Sequence, residues 1–397
     1  MSDWLGGSPH DVALDFGGHA VTYGELAGAI GRVVLPDGDG AVGCPAGTDP
    51  ARLVVTVLAA IDRGRAVLVG GRANGDLPAG TELALLTSGS SGVGAMPRVV
   101  ARTSASWLAS AQPLADVAGL DPGDTIAVTG PLHVSMHLYA VLHALWLGAT
   151  ASDDVRSATV MHATPTRLSR ALDGDACTPA VIVAGAATSD DLRSRAAARG
   201  IHLTEYYGAA ELSFVLAGGP AGLEPFPGVE VDLRPGPAGD ELWARSPYLA
   251  IGTVGGGMLR RDDVGFATVG DLARRTPSGA IRVLGRGDAA ITTAGATVLA
   301  EHVEAQLCTL PGVTAAAVVG EPHDLLGDHA LADGIGLEEV AAAARAHLSP
   351  AELPRRWFAR ALPRTDSGKV ARGAVHDALA AGELGEGHPV AFERSAS

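Results

Sequence analysis

The chain is predicted to be an α/β protein: a large N-terminal domain of parallel-rich sheets with helices, a small barrel-like antiparallel part, and a small α+β C-terminal domain. Three observations predict this. PAVIVAGAATSDDLRSRAAARGIHLTEYYGAAE (179–211) alternates apolar strand, turn, helix and apolar strand, the pattern of a right-handed parallel crossover. Between about 224 and 284 the short alternating runs VEVDL, DELWARS and AIRVLG suit antiparallel strands. LGRGDAAITTAG (284–295) then places glycines around Asp288, a hinge-like boundary that divides the chain into 1–285 and 286–397.

Each element follows from its own residues. VTYGELAGAIGRVV (21–34) reads as a short strand and a helix, ARLVVTVLAAIDRG (51–64) as a helix stopped by Gly64, and ELALLTSG (82–89) as an apolar strand. In the crossover, the strands span 180–184 and 201–205, with a helix over 189–199 closed by Gly200. The turns Gly185-Ala186-Ala187 and Tyr207-Gly208-Ala209 then fall beyond neighbouring strand ends, where open α/β sheets bind ligands. After the hinge come a helix (VEAQLCTL), a strand (TAAAVVG), a helix (LEEVAAAARAHL), a strand (RRWFARAL) and a glycine-containing loop.

Bulk properties narrow the function. The chain has 397 residues, enough for two or three domains, and is 47% hydrophobic, so it can bury a large core. Its 29 basic and 44 acidic residues give a net charge of −15, which repels nucleic acid and anionic membranes. No run reaches the roughly 18 apolar residues of a spanning helix, and the N-terminus lacks a signal-peptide profile. Cys44, Cys177 and Cys308 are far apart without metal spacing, which fits a reducing cytoplasm.

The stretch LLTSGSSGVGAMPRVV (85–100) turns from aliphatic to small and hydroxylated residues and then to Pro-Arg. Gly89 and Gly92 free the backbone, while Thr87, Ser88, Ser90 and Ser91 add hydroxyls to exposed N–H groups, the parts of an anion-binding nest. A flexible linker is the alternative, but a linker does not usually follow a buried strand directly. No Gly-Lys-Ser/Thr follows, so this is not a Walker loop.

TSGSSG followed by Pro-Arg resembles the phosphate loop of the adenylate-forming superfamily, which includes acyl-CoA synthetases and peptide-synthetase adenylation domains. Further motifs follow in the family's order: Gly185-Ala186-Ala187, YYGAAE (206–211), VGDLA (269–273), the hinge segment 284–304, and LPRTDSGKVAR (362–372). The likeness spans about 11 to 377. It implies the adenylate-forming fold with a mobile C-terminal lid, and a reaction in which ATP and a carboxylic acid give acyl-AMP and pyrophosphate.

It also implies roles residue by residue. Thr87, Ser88, Gly89, Ser90, Ser91 and Gly92 would wrap phosphates; Gly185, Ala186, Ala187, Tyr207 and Gly208 would hold adenine. Asp271 would take the ribose, Arg286 ribose or phosphate, Glu211 a Mg²⁺ ion, and Asp288 the hinge. Lys369 would be the catalytic cation. A carboxylate attacking an α-phosphate brings two anions together, so positive charge there stabilises the transition state. A solvated surface charge is the ordinary fate of a lysine, yet Lys369 is the one lysine among 29 basic residues and stands at the motif position.

GPLHVSMHLYAVLHALWLGAT (130–150) resembles the acyl-binding segment, with His133, His137 and Tyr139 as candidate lining; core packing is the plainer reading of each. No acid occurs between Pro131 and Ser152 to pair a substrate ammonium, which favours a fatty or aryl acid over an α-amino acid. Coenzyme A is the expected acceptor. A carrier-protein phosphopantetheine is one alternative, and a scaffold that binds nucleotide without turnover is another. The chain departs from the pattern at Val93-Gly94-Ala95-Met96, at Arg98 where lysine is common, at Ala210 where a hydroxyl is usual, and at Thr292 and Thr297. Lys369, Glu211, Asp271 and Arg286 together argue against decay.

Overall fold

A computed structural model describes residues 3–72, 75–87, 98–174, 177–219, 222–236, 239–255, 259–286, 290–293, 296–310, 313, 315–319, 329–332, 337–349, 352–354, 356–359, 361–364, 370–381 and 388–389. Its largest sheet has a parallel half in the order Val12–Phe16, Thr150–Ser152, Thr125–Val128, Val160–Ala163, Ala180–Val183 and His202–Ala209. Alternate side chains enter two cores. Ala127, Met161, Ala163, Val181 and Val183 meet Leu168, Leu172, Leu192 and Ala196 from helices Pro165–Asp173 and Asp190–Ala198. Ile126, Val128, Val160 and Ile182 enter the main core with helix Ser135–Leu147. Helices on both faces explain why these strands are apolar throughout.

The helix over 190–198 begins where its residues dictate: the Ser189 hydroxyl accepts from the Leu192 N–H, and Asp190 and Asp191 complement the first turn. The following strand is longer than its sequence suggested. It runs to Ala209, because its second half gains an antiparallel partner, Ser213–Gly219, after its parallel neighbour has ended. Tyr207-Gly208-Ala209 is therefore strand rather than turn, and the chain reverses at Ala210–Leu212. Gly208 is required by that reversal: a Cβ there would lie 2.1 Å from the Ser213 carbonyl oxygen. Ser213 takes φ 60°, a left-handed conformation uncommon outside glycine.

The stretch read as barrel-like continues this sheet antiparallel, through Gly222–Pro225, Ile281–Arg286, Asp271–Arg275 and Gly239–Arg245, with Glu230–Gly236 paired to the last. A second sheet orders Val42–Pro45, Val67–Gly70, Leu83–Thr87, Arg98–Arg102 and Gly252–Val254. Thr87 pairs with Arg98, so the residues between them join adjacent strand ends.

Beyond residue 296, Ala316–Val319, His329–Ala332, Arg356–Ala359 and His388–Pro389 form a separate sheet. Helix Ala300–Leu307 packs on it around Val303, Leu307, Val318, Val340 and Trp357, a core distinct from the main one. No helix among the described residues is long and apolar enough to cross a membrane.

Candidate active site

The parallel strands Ala180–Val183 and His202–Ala209 share a direction, so Gly185-Ala186-Ala187 and the 210–212 reversal emerge at one edge of the sheet. The 185–187 turn is exposed, with Gly185 at φ 92°, a conformation suited to glycine. Tyr207, half-buried, donates its hydroxyl to Asp271 Oδ2 across the sheet. Asp271 is buried and opens strand Asp271–Arg275, where the register sets it opposite Arg286. The fold thus brings Tyr207, Asp271 and the Arg286 backbone to one place.

Glu211 sits on the reversal, 1% exposed, and its backbone carbonyl accepts from the Ala250 N–H. Its Oε1 lies 2.9 Å from Arg98 Nε, yet the two atoms are not aligned as a hydrogen bond. The contact is ionic and leaves lone-pair capacity on the carboxylate. No group of three or more His, Cys, Asp or Glu side chains suited to a metal occurs among the described residues, so a cage made wholly of those side chains is not present there. One carboxylate with substrate phosphates and water is, however, how Mg²⁺ is commonly held, and Glu211 fits that role.

Arg102, which sequence reasoning missed, is fully buried behind Glu211. It lies in the same strand as Arg98 with one even spacing between them, so both side chains project from one face toward the 210–212 turn. Its Nη2 donates to the Ala210 carbonyl at 2.7 Å and its Nη1 to Ser106 Oγ at 3.1 Å, while the guanidinium lies 5.0 Å from the Trp107 ring centroid. Burial pulls its pKa down to about 9, opposed by the charge of Glu211, and it stays protonated at neutral pH. The period-two spacing of Arg98 and Arg102 was the available signal.

The acyl segment divides. Tyr139 is a core residue: its hydroxyl meets Ser110 Oγ at 2.8 Å, and its ring packs edge-on to Trp107 at 5.3 Å and Phe214 at 5.0 Å. Burial raises its pKa well above the usual tyrosine value. His137 is also fully buried, pressed on Gly130, and neither ring nitrogen has a hydrogen-bond partner among the described residues. Burial, with nearby Arg167 and His133, lowers its pKa to about 3, so its ring is neutral. His162, also unforeseen, shares this condition: fully buried, without hydrogen-bond partners on either nitrogen among the described residues, and lowered in pKa to about 3. His133 is half-buried.

Thr87 spends its hydroxyl within the strand pair, donating to the Arg98 carbonyl at 3.2 Å. Ser88, Gly89, Ser90, Ser91, Gly92, Asp288 and Lys369 lie outside the described residues, as does the side chain of Arg286.

Comparison with known proteins places these features. Residues 302–369 match the AMP-binding enzyme C-terminal domain family. The chain is 29% identical over 328 residues to an uncharacterized acyl-CoA ligase, YhfT, of Bacillus subtilis, covering 73% of this chain and 67% of that protein. It is 33% identical over 230 residues to a probable 2-succinylbenzoate-CoA ligase of Mycobacterium tuberculosis, 53% of this chain and 58% of the relative. The fold resembles ATP-bound MatB from Rhodopseudomonas palustris, with a TM-score of 0.79, 19% identity, and 94% and 96% of the two chains covered. It also resembles o-succinylbenzoate CoA synthetase (MenE) from Bacillus subtilis bound to its acyl-adenylate, with a TM-score of 0.77, 19% identity, and 94% and 98% covered. Its motifs in family order, its C-terminal match and its fold make the chain similar to the adenylate-forming superfamily.

Proposed function

We propose that this protein activates a small carboxylic acid with ATP, forming acyl-AMP and pyrophosphate, and then transfers the acyl group to coenzyme A. The observation that carries the reading is the meeting of Glu211, Tyr207, Asp271 and the 185–187 turn at one sheet edge. The named ligases above support the acid-thiol chemistry. Tyr207 and the 185–187 turn would flank adenine, and Asp271 would exchange the Tyr207 hydroxyl for those of ribose. Arg286 would serve as an auxiliary cation beside the ribose or phosphates. Gly208 serves the nucleotide indirectly, by letting the backbone reverse beside it. Residues Thr87 to Gly92 would follow the phosphates.

Glu211 would hold Mg²⁺ together with phosphate oxygens, an ion that when bound neutralises charge on the polyphosphate. Residues from 286 onward would form the lid, turning near Asp288 and delivering Lys369 toward the α-phosphate. The substrate class is a fatty or aryl acid, because the segment from Pro131 to Ser152 offers no carboxylate to an ammonium. His133 would lie nearest its acyl group, whereas His137 and Tyr139, both buried, support that segment from within.

An acid-panel screen for pyrophosphate release, followed by addition of coenzyme A, tests the reading. AMP release with acyl-CoA formation is the expected outcome. Transfer confined to a carrier-protein phosphopantetheine would shift the acceptor, and absence of pyrophosphate release across fatty and aryl acids would leave a nucleotide-binding scaffold.

A further inference from the structure

We propose that Arg102 is a positioning residue for Glu211, fixing the turn that presents this carboxylate to metal-bound nucleotide. The role rests on the assignment of Glu211 given above. A guanidinium with no exposed surface is rare, because its desolvation must be offset by hydrogen bonds and charge. Here the acceptors are distributed over three segments: Ser106 Oγ at 3.1 Å, the Tyr248 carbonyl at 3.5 Å and the Ala210 carbonyl at 2.7 Å. The shortest of these is to the residue that immediately precedes Glu211. Arg102 thus ties strand Arg98–Arg102 to the reversal at 210–212 and to the 246–250 segment, which itself bonds Glu211 through Ala250 N–H.

Its neighbour differs in every respect that matters. Among the described residues Arg98 meets Glu211 by a single poorly aligned ionic contact, and it opens its strand opposite Thr87. A divalent cation on Glu211 would compete with the Arg98 guanidinium for the carboxylate and repel it toward the phosphates. Arg102, fastened to backbone carbonyls and enclosed by protein, cannot follow. It therefore keeps a positive charge and a fixed backbone behind Glu211 whether or not Arg98 stays.

The test is calorimetric titration of the full chain with Mg·ATP and, separately, with ATP in EDTA, alongside thermal unfolding. Arg102→Lys keeps charge but loses the fork of donors; it should weaken Mg·ATP binding about tenfold while leaving metal-free ATP binding unchanged. Ser106→Ala, a milder change that keeps the arginine, should shift Mg·ATP binding in the same direction by less. In a Glu211→Gln background neither substitution should alter the response to Mg²⁺. Equal weakening of both titrations, or none, in Arg102→Lys overturns the role. Should Arg102→Lys fail to fold, Ser106→Ala decides alone, and an unchanged Mg·ATP titration there overturns it. Wild-type protein indifferent to Mg²⁺ would instead overturn the assignment of Glu211 itself, and this role with it.

Discussion

Glu205 and Glu211 are both buried and close in sequence, yet the molecule holds them in opposite ways. Glu205, where the parallel half of its strand ends, receives a two-pronged grip from Arg193: Nε to Oε1 at 2.6 Å and Nη2 to Oε2 at 2.9 Å. Arg193 is further steadied by Asp190 at 2.7 Å. Glu211, on the reversal just beyond, has among the described residues one misaligned ionic contact, to Arg98. The first acid is saturated and joins helix Asp190–Ala198 to the sheet; the second, at the carboxyl edge of the parallel strands, retains acceptor capacity that no described residue uses. A buried charge becomes a working one when its partners leave it a vacancy in coordination.

Five substitutions can break or sharpen this contrast. Lys369→Ala should lower acid-dependent pyrophosphate exchange by about 100- to 1000-fold, the usual effect of removing a transition-state donor, with no change in unfolding midpoint. A mutant that exchanges normally would remove the site's chemistry from this lysine. Glu211→Gln should cost about 100-fold in kcat/KM at limiting Mg²⁺, measured by the metal dependence of exchange. If Glu205→Gln did the same, the contrast would fail.

Arg193→Met should act on the other side, destabilising the fold by about 2 kcal/mol in urea unfolding while sparing the KM for ATP. The loss is smaller than for a fully enclosed pair because the Arg193 side chain is 25% exposed. Tyr207→Phe deletes only the hydroxyl on Asp271 and should change nucleotide affinity by about fivefold, equivalent to ~1 kcal/mol, in a titration with AMP. A null result would mean that Asp271 is held by its other contacts.

Much of the fold was legible because it rests on local signals. The run of apolar strand, Ser189 cap, helix and Gly200 stop in 180–205 reports its own structure, and the observed helix begins at Asp190, directly after its cap. The extension of the next strand to Ala209 was not legible, since its second half depends on a partner that arrives later in the chain. The same holds within the site. Glu211 and Asp271 stand in recognisable motifs, whereas Arg102 and His162 owe their condition to what surrounds them, and burial of a polar group is a tertiary outcome. Tyr139 shows the converse: it lies in the expected segment but faces Trp107 and Phe214, and a helix apolar on all sides gives no clue to which side is lined by ligand.

The strand His202–Ala209 is bonded to Ala180–Val183 on one flank and, further along, to Ser213–Gly219 on the other. The tip bearing Glu211 consequently grows out of a hairpin that owes nothing to the backbone of the 185–187 turn. Changes of length or residue type in that turn can therefore be made without displacing the acid at the tip, so under the proposed function base recognition and charge handling would be free to evolve as separate traits.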